Sequence, residues 1–191
     1  MIDRWLEDLV ATPGLTSVPP GEARRVHVDE SLAAVEVVRR FGGPVVDVGS
    51  GGGAPGIPLA YALPDRDVTL LEANRRKCDF LARWARELPN ARVVCGRAEE
   101  QPIDAYGVAV ARALAPPPVA VEWCLPLVAP GGAVVLYVGP SADAETVATV
   151  AARLAGELVE SPSGLLVLRK VDSTPDGFPR RVGVARKRPL A

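Results

Sequence analysis

A chain of 191 residues with 48% hydrophobic and 24% charged residues is long enough to bury a full core in one domain. Its composition excludes the disordered, collagenous and disulfide-framework classes. No apolar run reaches the roughly 18–20 residues of a membrane span, and MIDRWLEDLV at the N-terminus carries acids where a signal peptide has an apolar core, so a cytoplasmic protein without membrane attachment is expected. The net charge of −1 is unevenly spread: residues 169–191 carry a net +5 and residues 1–168 a net −6, so the basic tail either meets a polyanionic partner or is a solvated terminus.

Residues 1–42 lack strand character and read as one or two helices beside the main fold. GPVVDV (43–48) is the first short Val-rich run bounded by turn residues, and therefore the first buried strand. DVTLLE (67–72), ARVVCG (91–96), YGVAVA (106–111) and GGAVVLYV (131–138) follow as further strands. Between them, residues 74–88 form a helix that Asn74 can cap, with Cys78, Leu81, Trp84, Ala85 and Leu88 on one face. Residues 117–127 and 143–155 are also helical, the latter with acids in its first turn. ELVESPSGLLVLRKV (157–171) reads as a closing hairpin, and residues 172–191 as the basic tail. Strand–helix alternation of this length gives an α/β fold, a parallel sheet with helices on both faces. Cys78, Cys95 and Cys124 are odd in number and widely spaced, which predicts buried free thiols and neither a metal site nor a disulfide. The three tryptophans, Trp5, Trp84 and Trp123, fall at amphipathic helical positions and are expected in the core.

The stretch VVDVGSGGGAPGIPLA (45–60) follows the first strand, where open α/β sheets bind ligands. It spells G-x-G-x-x-G from Gly51, which suits a dinucleotide, and D-x-G-x-G-x-G from Asp47, which suits S-adenosylmethionine. Two features favour the second. A carboxylate at Asp47 repels a pyrophosphate but tolerates a sulfonium. Pro55 and Pro58 remove N–H groups that a pyrophosphate needs at the start of the next helix. Glu72, at the end of the second strand, can accept hydrogen bonds from a ribose diol of either ligand.

Taken with Glu72 and the basic tail, DVGSGGGAPGIPLA resembles the corresponding loop of the RsmG (GidB) family of small-subunit rRNA guanine-N7 methyltransferases. The continuation LPDRDVTLLEANRRKCDFLARWARELPNARVVCGRAEE, the element ARALAPPPVAVEWCLPLVAPGG and the C-terminal TPDGFPRRVGVARKRPL also resemble that family, in the same order. The resemblance implies a Rossmann-like methyltransferase with a seven-stranded, mostly parallel sheet whose last strand is antiparallel, in a single domain made of a short N-terminal helical region (1–42), a core (43–171) and a tail (172–191). It implies S-adenosylmethionine as cofactor, 16S rRNA or the 30S subunit as partner, no metal, and action as a monomer. Together with the loop reading, it gives Asp47, Gly49, Gly51, Gly53, Ala54, Glu72, Ala98, Glu99 and Arg112 as cofactor-binding residues, with Arg112 also catalytic. The chain departs from the family pattern at Gly14, Gly107 and Val138, the last two expected near the active face.

Guanine N7 carries an exposed lone pair and no proton, so its methylation needs alignment rather than a general base. A chain with one histidine, His27, suits that reaction, and His27 is expected to have a structural hydrogen-bonding role. Arg112 ends a buried strand, where an unpaired guanidinium would be costly, and so is expected to meet ligand or RNA. Arg180, Arg181, Arg186, Lys187 and Arg188 are the candidate RNA-backbone contacts, while Arg75, Arg76 and Lys77 are equally explained by phosphate contact or solvation. The alternatives are a non-catalytic RNA-binding relative, supported by Gly107 and Val138, and a nicotinamide-dependent oxidoreductase, supported by the G-x-G-x-x-G spelling alone.

Overall fold

Val45–Val48 is buried at all four positions and forms β1 at the middle of the sheet. The computed structural model describes residues 1–162 and 164–191. β2 (Val68–Glu72), β3 (Ala91–Cys95), β4 (Tyr106–Arg112), β5 (Val128–Tyr137), β6 (Gly156–Glu160) and β7 (Leu165–Lys170) complete a seven-stranded sheet of order β3-β2-β1-β4-β5-β7-β6. The first five strands are parallel. β7 is antiparallel to both β5 and β6, closing the sheet as the hairpin expected over 157–171.

Period-two alternation assigns side chains to the two faces. Val45, Leu70, Val110 and Val135 join one core with Trp5, Ile57, Leu81 and Trp84. Val46, Leu71, Ala109 and Val134 join the other with Val121, Leu125 and Val147. The first face is covered by α1 (Ile2–Ala11), α3 (Val35–Arg39), α4 (Gly56–Ala62) and α5 (Arg75–Ala85), and the second by α6 (Pro117–Cys124) and α7 (Ala144–Ala152). A π-helical turn at Arg25–Asp29 runs into the short α2 (Glu30–Leu32). Asn74 caps α5 as expected, accepting from the Lys77 amide at 3.3 Å. The helix expected over 117–127 changes to a 3₁₀ turn at Leu125–Leu127, where Pro126 removes an amide donor.

Three expectations are corrected. Cys78 and Cys95 are not free thiols: parallel pairing of β2 with β3 brings the start of α5 beside the end of β3, and the two sulfurs are joined as a disulfide with a Cα separation of 5.8 Å. Cys124 alone is free, and buried. Gly107 is not near the active face. It lies at the opposite end of β4 from Arg112, about 16 Å along the strand, and is glycine because a Cβ there would stand 1.7 Å from the Gly42 carbonyl oxygen. Finally, residues 172–191 are fastened to the body rather than free, beginning with Lys170. This fully buried lysine donates to the Leu125 carbonyl at 2.9 Å and to Thr174 Oγ1 at 2.7 Å, with Asp104 at 3.5 Å as counter-charge.

Candidate active site

Strand order reverses between β1 and β4, and their C-terminal ends carry the Gly49–Pro55 loop and Arg112. Ligands of open α/β sheets bind at such a reversal. Gly49, Gly51 and Gly53 have φ of +73°, +58° and +106°, conformations that only glycine adopts without strain. α1 buttresses the loop from behind: the Trp5 indole N–H donates to the Gly52 carbonyl at 2.9 Å. Glu72, at the end of β2, secures its front. One carboxylate oxygen accepts the Gly51 amide at 2.9 Å and the other the Asn74 amide at 2.7 Å.

Two cavities flank the loop. One, of about 260 Å³, is walled by Gly49, Leu71, Glu72, Ala98, Glu99, Leu114 and Trp123, among others. The other, of about 380 Å³, is walled by Gly49, Gly51, Gly52, Ala54, Thr16, His27 and Arg112, among others. Gly49, Lys77 and Ala113 belong to both. A third cavity of about 670 Å³ lies beyond Arg112, bounded by Glu30, Tyr137 and Val138, with Arg112 and Ala113 shared with the second. The structure thus brings together Gly49, Gly51, Ala54, Glu72, Ala98, Glu99 and Arg112, all on cavity walls.

Asp47 and Gly53 stand behind the loop instead. Asp47 is 1% exposed and its Oδ2 accepts the Gly56 amide at 3.0 Å, while its Oδ1 has no partner. Burial pushes its carboxyl up to about 7. A Cβ on Gly53 would meet Ile57 and Trp5, so this glycine serves close packing.

Arg112 is held by its neighbours. It donates to the Val26 carbonyl and, at 3.1 Å, to His27 Nδ1. Because a guanidinium only donates, Nδ1 must be the acceptor and the histidine proton sits on Nε2, 2.8 Å from Thr16 Oγ1. Burial, followed by the Arg112 charge, lowers His27 to about 4, so the ring is neutral. His27 therefore has the hydrogen-bonding role expected of it. Ala113, next to Arg112, has a φ of +51° and borders all three cavities; no sequence signal marked it. Strained backbone of this kind is characteristic of functional sites.

The basic residues of the tail do not form one group. Arg180, expected among the RNA contacts, is instead occupied by an acidic partner within the protein. Its Nε and an NH2 group donate to the two oxygens of Glu122 at 2.5 and 2.6 Å, and Glu122 is 2% exposed. Burying that carboxylate demands a cation. All four remaining basic residues are exposed, but Arg186 alone of them lines the 260 Å³ cavity, whereas Arg181, Lys187 and Arg188 do not. Trp5 and Trp84 are core residues as expected, but Trp123 is half-buried on the cavity wall. Arg75 approaches Asp79 at 3.8 Å and Arg76 donates to the Pro13 carbonyl, leaving Lys77 as the cavity residue of that trio.

The walls fit S-adenosylmethionine. A Cβ on Gly51 would have only the Gly49 carbonyl oxygen nearby, at 3.8 Å, so this face of the loop is open to a ligand. The Glu72 carboxylate retains lone pairs for hydroxyl donors. The first amide of α4, which would serve a pyrophosphate, is already taken by Asp47. Among the described residues no group of three or more His, Cys, Asp or Glu is placed to hold a metal. Fold and site together define an S-adenosylmethionine-dependent methyltransferase.

Comparison with known proteins gives the particular family. A family model described as GidB, rRNA small subunit methyltransferase G, matches residues 8–161. The ribosomal RNA small subunit methyltransferase G of Thermotoga neapolitana is 41% identical over 98% of this chain and 89% of its own length. That of Synechococcus elongatus is 36% identical over 90% and 79%. Among solved structures, a T. thermophilus 16S rRNA methyltransferase, RsmC, in complex with AdoMet and guanosine aligns with a TM-score of 0.53 at 18% identity, over 75% of this chain and 40% of that one. The antibiotic-resistance methyltransferase Kmr aligns with a TM-score of 0.56 at 15% identity, over 74% and 93%. The chain belongs to the rRNA small subunit methyltransferase G family and is an S-adenosylmethionine-dependent rRNA methyltransferase.

Proposed function

We propose that the protein methylates N7 of a guanine in 16S rRNA of the small ribosomal subunit, in the cytoplasm. The observation that carries this reading is the Arg112–Ala113 wall, which separates the cavity against the glycine loop from the 670 Å³ cavity and borders both. S-adenosylmethionine supplies an electrophilic methyl group on a sulfonium. Gly49, Gly51 and Ala54 would hold it against the loop, and Glu72, Ala98 and Glu99 would receive its adenosine. Arg112 keeps three of its five N–H groups after serving Val26 and His27. It can donate to the O6 edge of a guanine without using the N7 lone pair, which stays free to attack in line. An exocyclic amine would have to lose a proton, whereas the single histidine has both ring nitrogens engaged. N7 attack releases none, so alignment alone can supply up to roughly 7–11 kcal/mol of the barrier. Arg181, Lys187 and Arg188 are the tail cations left to contact phosphates.

The test is transfer of labelled methyl to 30S subunits, followed by borohydride and aniline treatment, which cleaves RNA at N7-methylguanosine. Label incorporation with cleavage at one guanine is expected. Incorporation without cleavage would place the methyl on another atom, and a chain that binds S-adenosylhomocysteine but incorporates no label would be a non-catalytic relative.

A further inference from the structure

The C-terminal segment leaves β7 at the end of the sheet opposite the cofactor loop, beside Asp104, returns to the cofactor side at Glu99, and is pinned along its course. Thr174 Oγ1 donates to Asp104 at 2.7 Å, Arg180 pairs with Glu122, the Gly183 amide donates to Glu99 Oε1 at 3.1 Å, and Arg153 donates to the Leu190 carbonyl at 3.1 Å. One of these anchors belongs to the wall of the 260 Å³ cavity and a second adjoins it. Glu99 lines it directly, and Glu122 immediately precedes Trp123, which also lines it. From Gly183, with φ of +79°, the short helix α8 (Val184–Lys187) begins and buries Ala185. Burial of Ala185 fixes the next residue, Arg186, at the cavity, and Arg186 has no ion-pair partner among the described residues although Glu72 and Glu99 face the same space.

We propose that Arg186 is a cofactor-binding residue that contacts the adenosine portion of S-adenosylmethionine, and that the C-terminal segment is the outer wall of the cofactor pocket. The inference rests on the methyltransferase reading above. The chemistry of the cavity selects the adenosine end. Leu71, Ala98, Leu114 and Trp123 offer apolar surface to a flat base, Glu72 faces hydroxyls, and Arg186 adds a planar cation. A guanidinium both stacks on an aromatic ring and donates to ring nitrogens, roles that a lysine ammonium does not reproduce. Arg186 does not border the loop cavity that holds Thr16, His27 and Arg112, so it is remote from the methyl-transfer end.

Titration calorimetry with S-adenosylhomocysteine tests this on the wild type, Arg186→Ala, Arg186→Lys and Lys187→Ala. Both Arg186 variants should bind about tenfold more weakly, the loss expected for one hydrogen bond to a charged donor. Lys187→Ala, exposed and off the cavity wall, should match the wild type. The lysine variant keeps the alkyl stem and the charge, so it carries the comparison if the alanine variant fails to fold. Wild-type affinity in a folded Arg186 variant would overturn the proposal. If its 30S binding also showed a log K against log salt slope flattened by roughly 0.7–0.9, Arg186 would be a phosphate contact instead. A wild-type chain that fails to bind S-adenosylhomocysteine would strike the methyltransferase reading rather than the placement of Arg186.

Discussion

Replacing Arg180 by alanine should destabilise the whole domain rather than weaken RNA binding alone. The guanidinium makes a two-pronged ion pair with Glu122, a carboxylate 2% exposed on α6, and also donates to the Arg188 carbonyl at 2.8 Å. Removing one partner of a buried pair leaves the other charge without compensation, which costs about 3–5 kcal/mol. For a domain of this size each kcal/mol shifts Tm by about 2–4 °C, so a fall of about 6–20 °C is expected. Urea unfolding and thermal scans of the purified variant measure it. The double variant Arg180→Met/Glu122→Leu should recover most of the loss, because an apolar pair of similar volume needs no counter-charge. A single Arg180→Ala variant with wild-type Tm and a reduced salt slope for 30S binding would refute this reasoning and return Arg180 to the RNA-binding residues.

Gly51→Val should abolish S-adenosylhomocysteine binding while the chain stays folded, because a branched side chain at φ of +58° is strained and enters the open face of the loop; unchanged affinity in a titration would remove this loop from the site. Stability against pH should expose two opposed buried groups. His27 is neutral in the fold down to about 4 against an ordinary 6.5, so its contribution is complete above 6.5 and lost as pH falls toward 4. Asp47 is protonated in the fold up to about 7 against 3.8, so its contribution is complete below 3.8 and lost as pH rises toward 7. Between pH 4 and 6.5 the two slopes cancel in the wild type. His27→Gln should therefore become less stable with rising pH relative to the wild type, and Asp47→Asn more stable, by about 3–4 kcal/mol across the window. Identical pH slopes in urea midpoints for all three proteins would show that neither group is buried as described.

The sequence by itself determined the sheet and the location of the site. Val-rich runs bounded by Gly, Pro and Asp mark the strands, their alternation with 3.6-period segments requires crossover helices and hence parallel pairing, and the glycine spacing after β1 marks the loop. These signals are local, written within a few residues of one another. Tertiary structure alone decided which polar groups face one another. Glu122 and Arg180 are 58 residues apart, and Glu99 and the Gly183 amide 84. Asp47 stands two residues before a ligand loop yet turns inward to Gly56. The five basic residues of the tail look alike in sequence, but Arg180 serves an ion pair, the exposed Arg186 stands at a cavity rim, and Arg181, Lys187 and Arg188 face solvent alone. Nothing in a residue's neighbours along the chain distinguishes those fates. They depend on where β7 delivers the chain and on which buried carboxylate or amide lies there uncompensated, a balance of desolvation against pairing that exists only once distant segments have packed.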